Sequence, residues 1–107
     1  MITSHDLLSL LNQQDFESWL STKRKDGYAG ARASACDCPI AEWLNKAYGL
    51  SVEVHKSQII LNGEKIESPD WVKYFVKQVD SKKQFSTFCT PEEAIFILKC
   101  FDNNAIE

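Results

Sequence analysis

A change in hydrophobic period near Ser51 constrains the fold of this chain more than any other feature of its sequence. Before it, apolar residues recur every three or four positions, which is typical of helices that bury one face. From Ser51 they instead alternate with polar residues in SVEVHK (51–56), and the short apolar segment SQIIL (57–61) is followed by Asn62-Gly63, a strong signal for a tight hairpin turn. After Ser68 the helical spacing returns. A small antiparallel sheet within a helical chain is therefore predicted.

The predicted order is α-α-β-β-α-α, an α+β fold of a single domain over residues 1–107, with an antiparallel hairpin or meander packed against helices. We expect one long first helix from Ser4 to Thr22 and a second that starts at Cys38 or Pro39 and stops at Gly49. The predicted strands are 51–56, 57–61 and 64–67, and Ile66 is expected to face the core.

The two C-terminal helices have clear start signals. Ser68 and Thr90 are expected to cap them, each followed by a proline at the first helical position. The helix after Thr90 is apolar around most of its circumference, which predicts a central position in the core. We expect Phe85 and Phe88 to tuck onto the core from the preceding loop, and residues 102–107 to form a frayed tail.

Composition limits the classes of function. The chain has 107 residues and a net charge of −3, which argues against non-specific binding to nucleic acid. No apolar run is long enough to cross a membrane. The first residues, MITSHDLL, lack a basic segment followed by an apolar block, so we expect no secretory signal and a cytoplasmic location.

The segment from Gly27 to Pro39 is the best candidate site. A glycine-containing loop that leads into a helix N-terminus presents free N–H groups and a partial positive charge to an anionic metabolite or nucleotide. The candidate ligand-binding residues are Gly30, Arg32, Ser34 and Cys38. The segment matches neither a P-loop nor a dinucleotide fingerprint, and Asp37 would repel an anion. The alternative is a tight loop that only caps the helix.

Thiol chemistry is a second possibility for the same segment. A cysteine at a helix start, as Cys38 is predicted to be, has a lowered pKa, so a thiol enzyme or a redox sensor is conceivable. His55 is a candidate base, but no acid that would orient it is evident. Cys36 and Cys38 lie one residue closer than a redox pair requires. Cys38 packing as a small apolar residue is the alternative.

A thiolate-rich zinc site would draw on Cys36, Cys38, Cys89 and His55. Structural zinc sites usually contain two tight ligand pairs, whereas Cys89 and Cys100 are widely spaced and Cys100 lies in a helical apolar pattern. We therefore expect no metal and no other cofactor.

Four segments together resemble a group of small uncharacterised bacterial proteins that are frequent in cyanobacteria. They are FESWL (16–20), GARASACDCPIAEWL (30–44), PDWVKYFVKQVD (69–80) and TPEEAIFIL (90–98). The group has a glycine loop, a Cys-Pro-Leu-Ala-type helix start, a Trp-x-x-x-Phe-Val segment and a late Thr-initiated helix. The resemblance singles out Gly30, Ser34, Cys38, Pro39 and Trp71. Ile40 replaces the usual leucine, Cys36 is an additional thiol, and the resemblance implies the element order but no activity.

The favoured functional hypothesis is a small, non-enzymatic module that binds or regulates a protein partner or forms a homodimer. It follows from the missing catalytic and cofactor motifs and from the aromatic content, because aromatic residues at a surface often anchor protein contacts. The candidate contact residues are Tyr74, Trp43 and Trp71, of which Tyr74 lies off the predicted buried stripe. Since each tryptophan flanks a helical stripe, a core position is the alternative for both.

Overall fold

The computed structural model describes residues 4–31, 34–81 and 88–106. These residues form five helices and five short strands, so the α+β class is as predicted, whereas the predicted order had four helices and two or three strands. The helices are α1 (Ser4–Leu10), α2 (Gln13–Ser21), α3 (Pro39–Tyr48), α4 (Asp70–Asp80) and α5 (Pro91–Ile106). The strands are β1 (Gly30–Ala31), β2 (Val52–Val54), β3 (Gln58–Leu61), β4 (Glu64–Glu67) and β5 (Phe88–Cys89). Phe85 lies outside the described residues.

The central sheet is a three-stranded antiparallel meander in the order β2-β3-β4, the larger of the two predicted forms. Asn62 and Gly63 both have positive φ angles, 53° and 82°, so they form the tight turn between β3 and β4 that their sequence predicts. Leu61 pairs with Glu64 next to this turn. The alternating residues bury one face of the sheet, with Val52, Val54, Ile59, Leu61 and Ile66 all in the core.

The prediction of one long N-terminal helix is wrong, because the chain breaks between α1 and α2. Asn12 has an extended backbone, and its side chain accepts a hydrogen bond from the Asp15 N–H at 3.1 Å. Asparagine is among the best helix N-caps, so it competes with helix continuation at this position. The carbonyl of Leu11, which the break leaves without a helical partner, accepts a hydrogen bond from Trp71 Nε1 at 3.3 Å.

The core is one hydrophobic cluster to which all five helices contribute. Phe16 lies at its aromatic centre, with ring centroids 5.1 Å from Trp43, 5.8 Å from Trp71 and 5.2 Å from Phe75. Such separations are typical of favourable contacts between aromatic rings. Three residues whose helical spacing predicts a buried position, Leu8, Ala47 and Tyr48, are exposed and do not join the core.

The C-terminal helix α5 departs from the prediction in two ways. It continues to Ile106, so the frayed tail predicted after Phe101 is helical instead. It also buries one side rather than its whole circumference: Ala94, Ile97 and Leu98 are in the core, whereas Phe96 is 60% exposed. No helix in the described part of the chain has the length and apolar character needed to cross a bilayer.

The two predicted caps have different outcomes. Thr90 caps α5 as expected, because its hydroxyl accepts the Glu93 N–H at 3.2 Å. Ser68 does not cap α4, since Pro69 occupies the N-cap position. The Ser68 hydroxyl is buried, and within the described residues no hydrogen-bond partner reaches it. Pro69 supplies its carbonyl to the first turn of α4 instead.

A second sheet, absent from the prediction, consists of β1 and β5 in antiparallel pairing. Gly30 lies opposite Cys89, and Ala31 lies opposite Phe88. Gly30 also passes close to the start of α3: a Cβ at this position would lie 2.3 Å from the Pro39 nitrogen. This crossing fixes the loop that precedes α3, where the candidate site was predicted.

Candidate functional site

The predicted ligand residues gather around the start of α3, but they do not form one open anion site. Gly30 packs against the backbone of Pro39, and Arg32 lies outside the described residues. The Ser34 hydroxyl donates to Asp37 Oδ2 at 3.3 Å, and the Ala31 N–H donates to the Asp37 carbonyl at 2.7 Å. Part of the hydrogen-bonding capacity of this loop is therefore used within the loop itself.

Cys38 occupies the N-cap position of α3 with its side chain buried. Burial raises the pKa of its thiol to about 11, although the nearby Ala41 and Ile40 amides lower it, and the charges of Asp80 and Glu42 add to the rise. At neutral pH the sulfur is therefore a thiol with little nucleophilic thiolate. This geometry disfavours the Cys38 enzyme and redox-sensor hypotheses and favours Cys38 as a packed apolar side chain.

His55 has a carboxylate partner that the sequence reasoning missed. Its Nε2 lies 3.3 Å from Glu53 Oε1, with both side chains about half exposed. The two residues are two positions apart where β2 ends, so the alternation of side chains along an extended segment places them on the same face. The two-residue spacing of Glu53 and His55 in an extended segment was therefore the sequence signal for this pair.

The loop from Ser34 to Cys38 separates two concave surfaces on either side of the β2 strand. Its Ala35 carbonyl accepts the Val54 N–H at 2.7 Å, which attaches the loop to the free edge of the sheet. Cys36 and Asp37 line the cleft on one side, whereas Ser34, Ala35 and Cys38 line the other. The two clefts have opposite charge character.

The first cleft has a volume of about 430 Å³ and lies between α3 and the central sheet. Its charged lining residues are all acidic: Asp37, Glu42 and Glu53. We call it the acidic cleft. Nothing in its described lining carries a positive charge to neutralise these carboxylates.

The second cleft has a volume of about 860 Å³ and lies between the β2–β3 turn and the C-terminal part of α4. Its apolar lining consists of Ala35, Cys38, Val54 and Val76. Around these lie the charged or titratable side chains of His55, Lys56, Lys77 and Asp80. We call it the lysine cleft. Two of the predicted ligand residues, Ser34 and Cys38, line it, whereas Gly30 is not among its described lining residues.

The structure removes two of the three predicted partner-contact residues from the surface. Trp43 is 1% exposed and Trp71 is 8% exposed, because both pack around Phe16. The helical spacing of the apolar residues predicts that both tryptophans lie beside a buried stripe, but it does not show how wide the buried face of each helix is. Tyr74 is half-buried, with its ring 5.4 Å from that of Phe101.

Different aromatic residues are exposed instead. Tyr28 is 51% exposed and Phe88 is 38% exposed, and their ring centroids are 5.8 Å apart. They come together because β1 pairs with β5, a contact with no signal in the local sequence pattern. Phe88 was predicted to tuck onto the core, and this prediction is wrong.

Comparison with family models, with curated proteins and with solved structures found no match to this chain. The resemblance to small bacterial proteins stays a prediction.

The cysteines do not assemble a metal site within the described residues, where no group of three or more histidine, cysteine or acidic side chains is placed to hold a metal ion. The four cysteines, all within the described residues, form no disulfide; Cys36 is exposed, Cys38 and Cys89 are buried, and Cys100 is half-buried.

Proposed function

We propose that this protein is a non-enzymatic interaction module that binds a basic segment of a partner protein. The contact surface is the aromatic–acidic patch, defined by Tyr28, Phe88, Asp37 and Glu42. The observation that carries the proposal is the exposed Tyr28–Phe88 ring pair, in which Tyr28 lies within electrostatic reach of carboxylates of the loop before α3 and of α3 itself.

The ring pair is held in place before any partner arrives. The Ala29 N–H donates to the Cys89 carbonyl at 2.9 Å, and Ala31 pairs with Phe88, so the backbone beneath both rings is fixed. Rings that are already ordered lose little conformational entropy on binding. Aromatic side chains of this kind supply much of the binding energy at protein interfaces.

The charge around the ring pair selects the chemistry of the partner. Burial raises the pKa of Tyr28, and the negative charges of Glu42 and then Asp37 raise it further, which places both carboxylates within electrostatic reach of the ring. Glu53 extends the negative surface into the acidic cleft. Arginine or lysine side chains complement these carboxylates, and arginine also stacks on aromatic rings.

The proposal is tested by selecting phage-displayed random dodecapeptides on the native protein. We expect selected peptides to be rich in arginine or lysine and to contain one aromatic or aliphatic anchor. The double variant Tyr28→Ala/Phe88→Ala should weaken their binding about thirtyfold, which corresponds to the loss of about 2 kcal/mol that defines an interface hot spot. Glu42→Gln should weaken binding less, and its effect should shrink as salt screens the charge.

The matched control is Tyr48→Ala, which removes a ring of comparable exposure at the other end of α3. Thermal unfolding of each variant separates loss of binding from loss of fold. Selected peptides without basic residues, or peptides that bind equally well to the Tyr28→Ala/Phe88→Ala variant, contradict the proposal. A native dimer in sedimentation equilibrium that the double variant dissociates would assign the patch to a second copy of the chain, and would overturn the basic-segment proposal.

A further inference from the structure

The lysine cleft is separate from the aromatic–acidic patch, and its construction suits a small molecule rather than a protein. We infer that it binds a ligand with an apolar body and one anionic group, a phosphate ester or a carboxylate. The apolar body lies on the floor formed by Val54, Val76 and Cys38, and the anionic group lies at the rim near Lys56 and Lys77.

The size and lining of the cleft support this class of ligand. Small-molecule sites are mostly concave surfaces of about 300–1,000 Å³ with an apolar lining and a few polar groups. The lysine cleft, at about 860 Å³, falls within this range. Val54, Val76 and Cys38 are buried side chains of three different elements that meet at its floor. Inorganic phosphate alone would leave this apolar floor without a contact.

The charges at the rim favour an anion. Within the described residues neither Lys56 nor Lys77 forms an ion pair, whereas Lys73, one turn earlier in α4, bonds Glu67 at 2.8 Å. Asp80 is the single carboxylate among the described lining residues, so two lysines and one aspartate leave a positive rim on a protein whose net charge is −3.

Hydroxyl groups complete the rim. Ser57 and Ser34 line the cleft from the β2–β3 turn and from the loop before α3. The Ser34 hydroxyl already donates its single O–H to Asp37, so Ser57, next to Lys56 in the β2–β3 turn, supplies the hydroxyl that donates to an anion. A phosphate or carboxylate accepts hydrogen bonds from a serine hydroxyl and from an ammonium group together.

The test is a titration of the ¹⁵N-labelled protein with three probes of similar ring size: phenyl phosphate, benzoate and benzyl alcohol. We expect an anionic probe to shift the amide signals of residues 54–57 and 76–81 and to bind more tightly than benzyl alcohol. Tighter binding of phenyl phosphate assigns the ligand to phosphate esters, and tighter binding of benzoate assigns it to carboxylates. The Lys56→Ala/Lys77→Ala variant should bind the preferred anion about tenfold more weakly.

The matched control is Lys46→Ala/Lys65→Ala, which removes the same total charge from α3 and β4, away from the cleft. Its affinity for the anion should equal that of the native protein. The inference is overturned if neither anion shifts these amides, if benzyl alcohol binds as tightly as the anions, or if both lysine variants weaken binding equally. The peptide selection on the aromatic–acidic patch is read out on other residues, so the two proposals fail independently.

Discussion

Replacing Gly30 by alanine tests the crossing of β1 over the start of α3, on which the geometry of both clefts depends. The added Cβ would lie 2.3 Å from the Pro39 nitrogen and 2.6 Å from both the Cys38 carbonyl carbon and the Pro39 Cα. Real Cβ atoms essentially never approach other atoms within 3.0 Å, so the backbone must move by at least several tenths of an ångström. No flexible side chain can yield here, because every close atom belongs to the main chain.

We expect Gly30→Ala to lower the free energy of unfolding by about 3 kcal/mol, at the upper end of the usual range for overpacking a well-filled interior. Either β1 must pull away from β5, or the start of α3 must shift away from the sheet. For a domain of this size the loss corresponds to a fall in Tm of about 12 °C. Urea unfolding followed by tryptophan fluorescence measures it, since Trp43 and Trp71 report on the core.

Gly27→Ala is the matched control. Its Cβ would lie 3.3 Å from the Arg24 carbonyl oxygen, a tight contact that a small movement relieves, so we expect a change below about 1 kcal/mol. If Gly30→Ala is within about 0.5 kcal/mol of the native protein, an ordinary value for a surface substitution, the close approach of β1 to α3 is refuted.

Three further predictions concern the cysteines and Asn12. Burial raises the Cys38 pKa from 9.0 to about 11, so between these pH values the unfolded chain loses this proton first and stability should fall as pH rises. Urea unfolding at each pH should show a smaller fall in Cys38→Ala, in which only the raised pKa of Tyr28 and other alkaline groups still contributes. Because burial raises the Cys38 pKa, iodoacetamide should modify exposed Cys36 well before Cys38 at neutral pH, and mass spectrometry of the peptides would contradict this if Cys38 reacted first. Asn12→Ala removes the α2 cap and should cost about 1 kcal/mol, whereas Asn12→Asp, which keeps the acceptor, should cost little; equal losses in thermal unfolding would refute the capping role.

Features with a local physical cause were predictable from the sequence. Asn62-Gly63 specifies its turn because these residues tolerate positive φ angles, and the turn sets the register, so the two-residue repeat of side-chain direction then fixes which strand residues share the buried face. Thr90 precedes a proline and two glutamates, which is a complete helix-start signal within four residues. Such signals act over one turn of chain, so distant residues do not change their outcome.

Features decided by distant contacts were not predictable. The break at Asn12 conflicts with a helical stripe that runs through it, and Trp71 stabilises the break from sixty positions away by bonding the Leu11 carbonyl. The β1 and β5 strands have two residues each, which is too short to show a hydrophobic repeat. The failure of Ser68 to cap α4 is a different case, because its signal is as local as that of Thr90: Pro69 itself takes the N-cap position, with the extended backbone (φ −59°, ψ 158°) that an N-cap adopts.

The candidate site likewise contains some residues that a local sequence signal predicts and others that only distant contacts bring together. The sequence located the loop before α3 and two residues of the lysine cleft, Ser34 and Cys38, because glycine and proline mark the loop boundaries locally. Lys56 and Lys77 joined them only through the packing of α4 beside the β2–β3 turn. The aromatic–acidic patch depends on the pairing of β1 with β5, so its Tyr28–Phe88 contact had no local signal.

The position of α5 determines when this protein can fold during its synthesis. Ala94, Ile97 and Leu98 fill the core from a helix that packs on α2 and α4, and β5, just before it, is the partner of β1. While residues 88–101 are still inside the ribosome, the part of the nascent chain that has emerged therefore has an open core and an unpaired β1. At synthesis rates of about 5–20 residues per second, this exposed state lasts for seconds, during which apolar faces of α2 and α4 are available to chaperones.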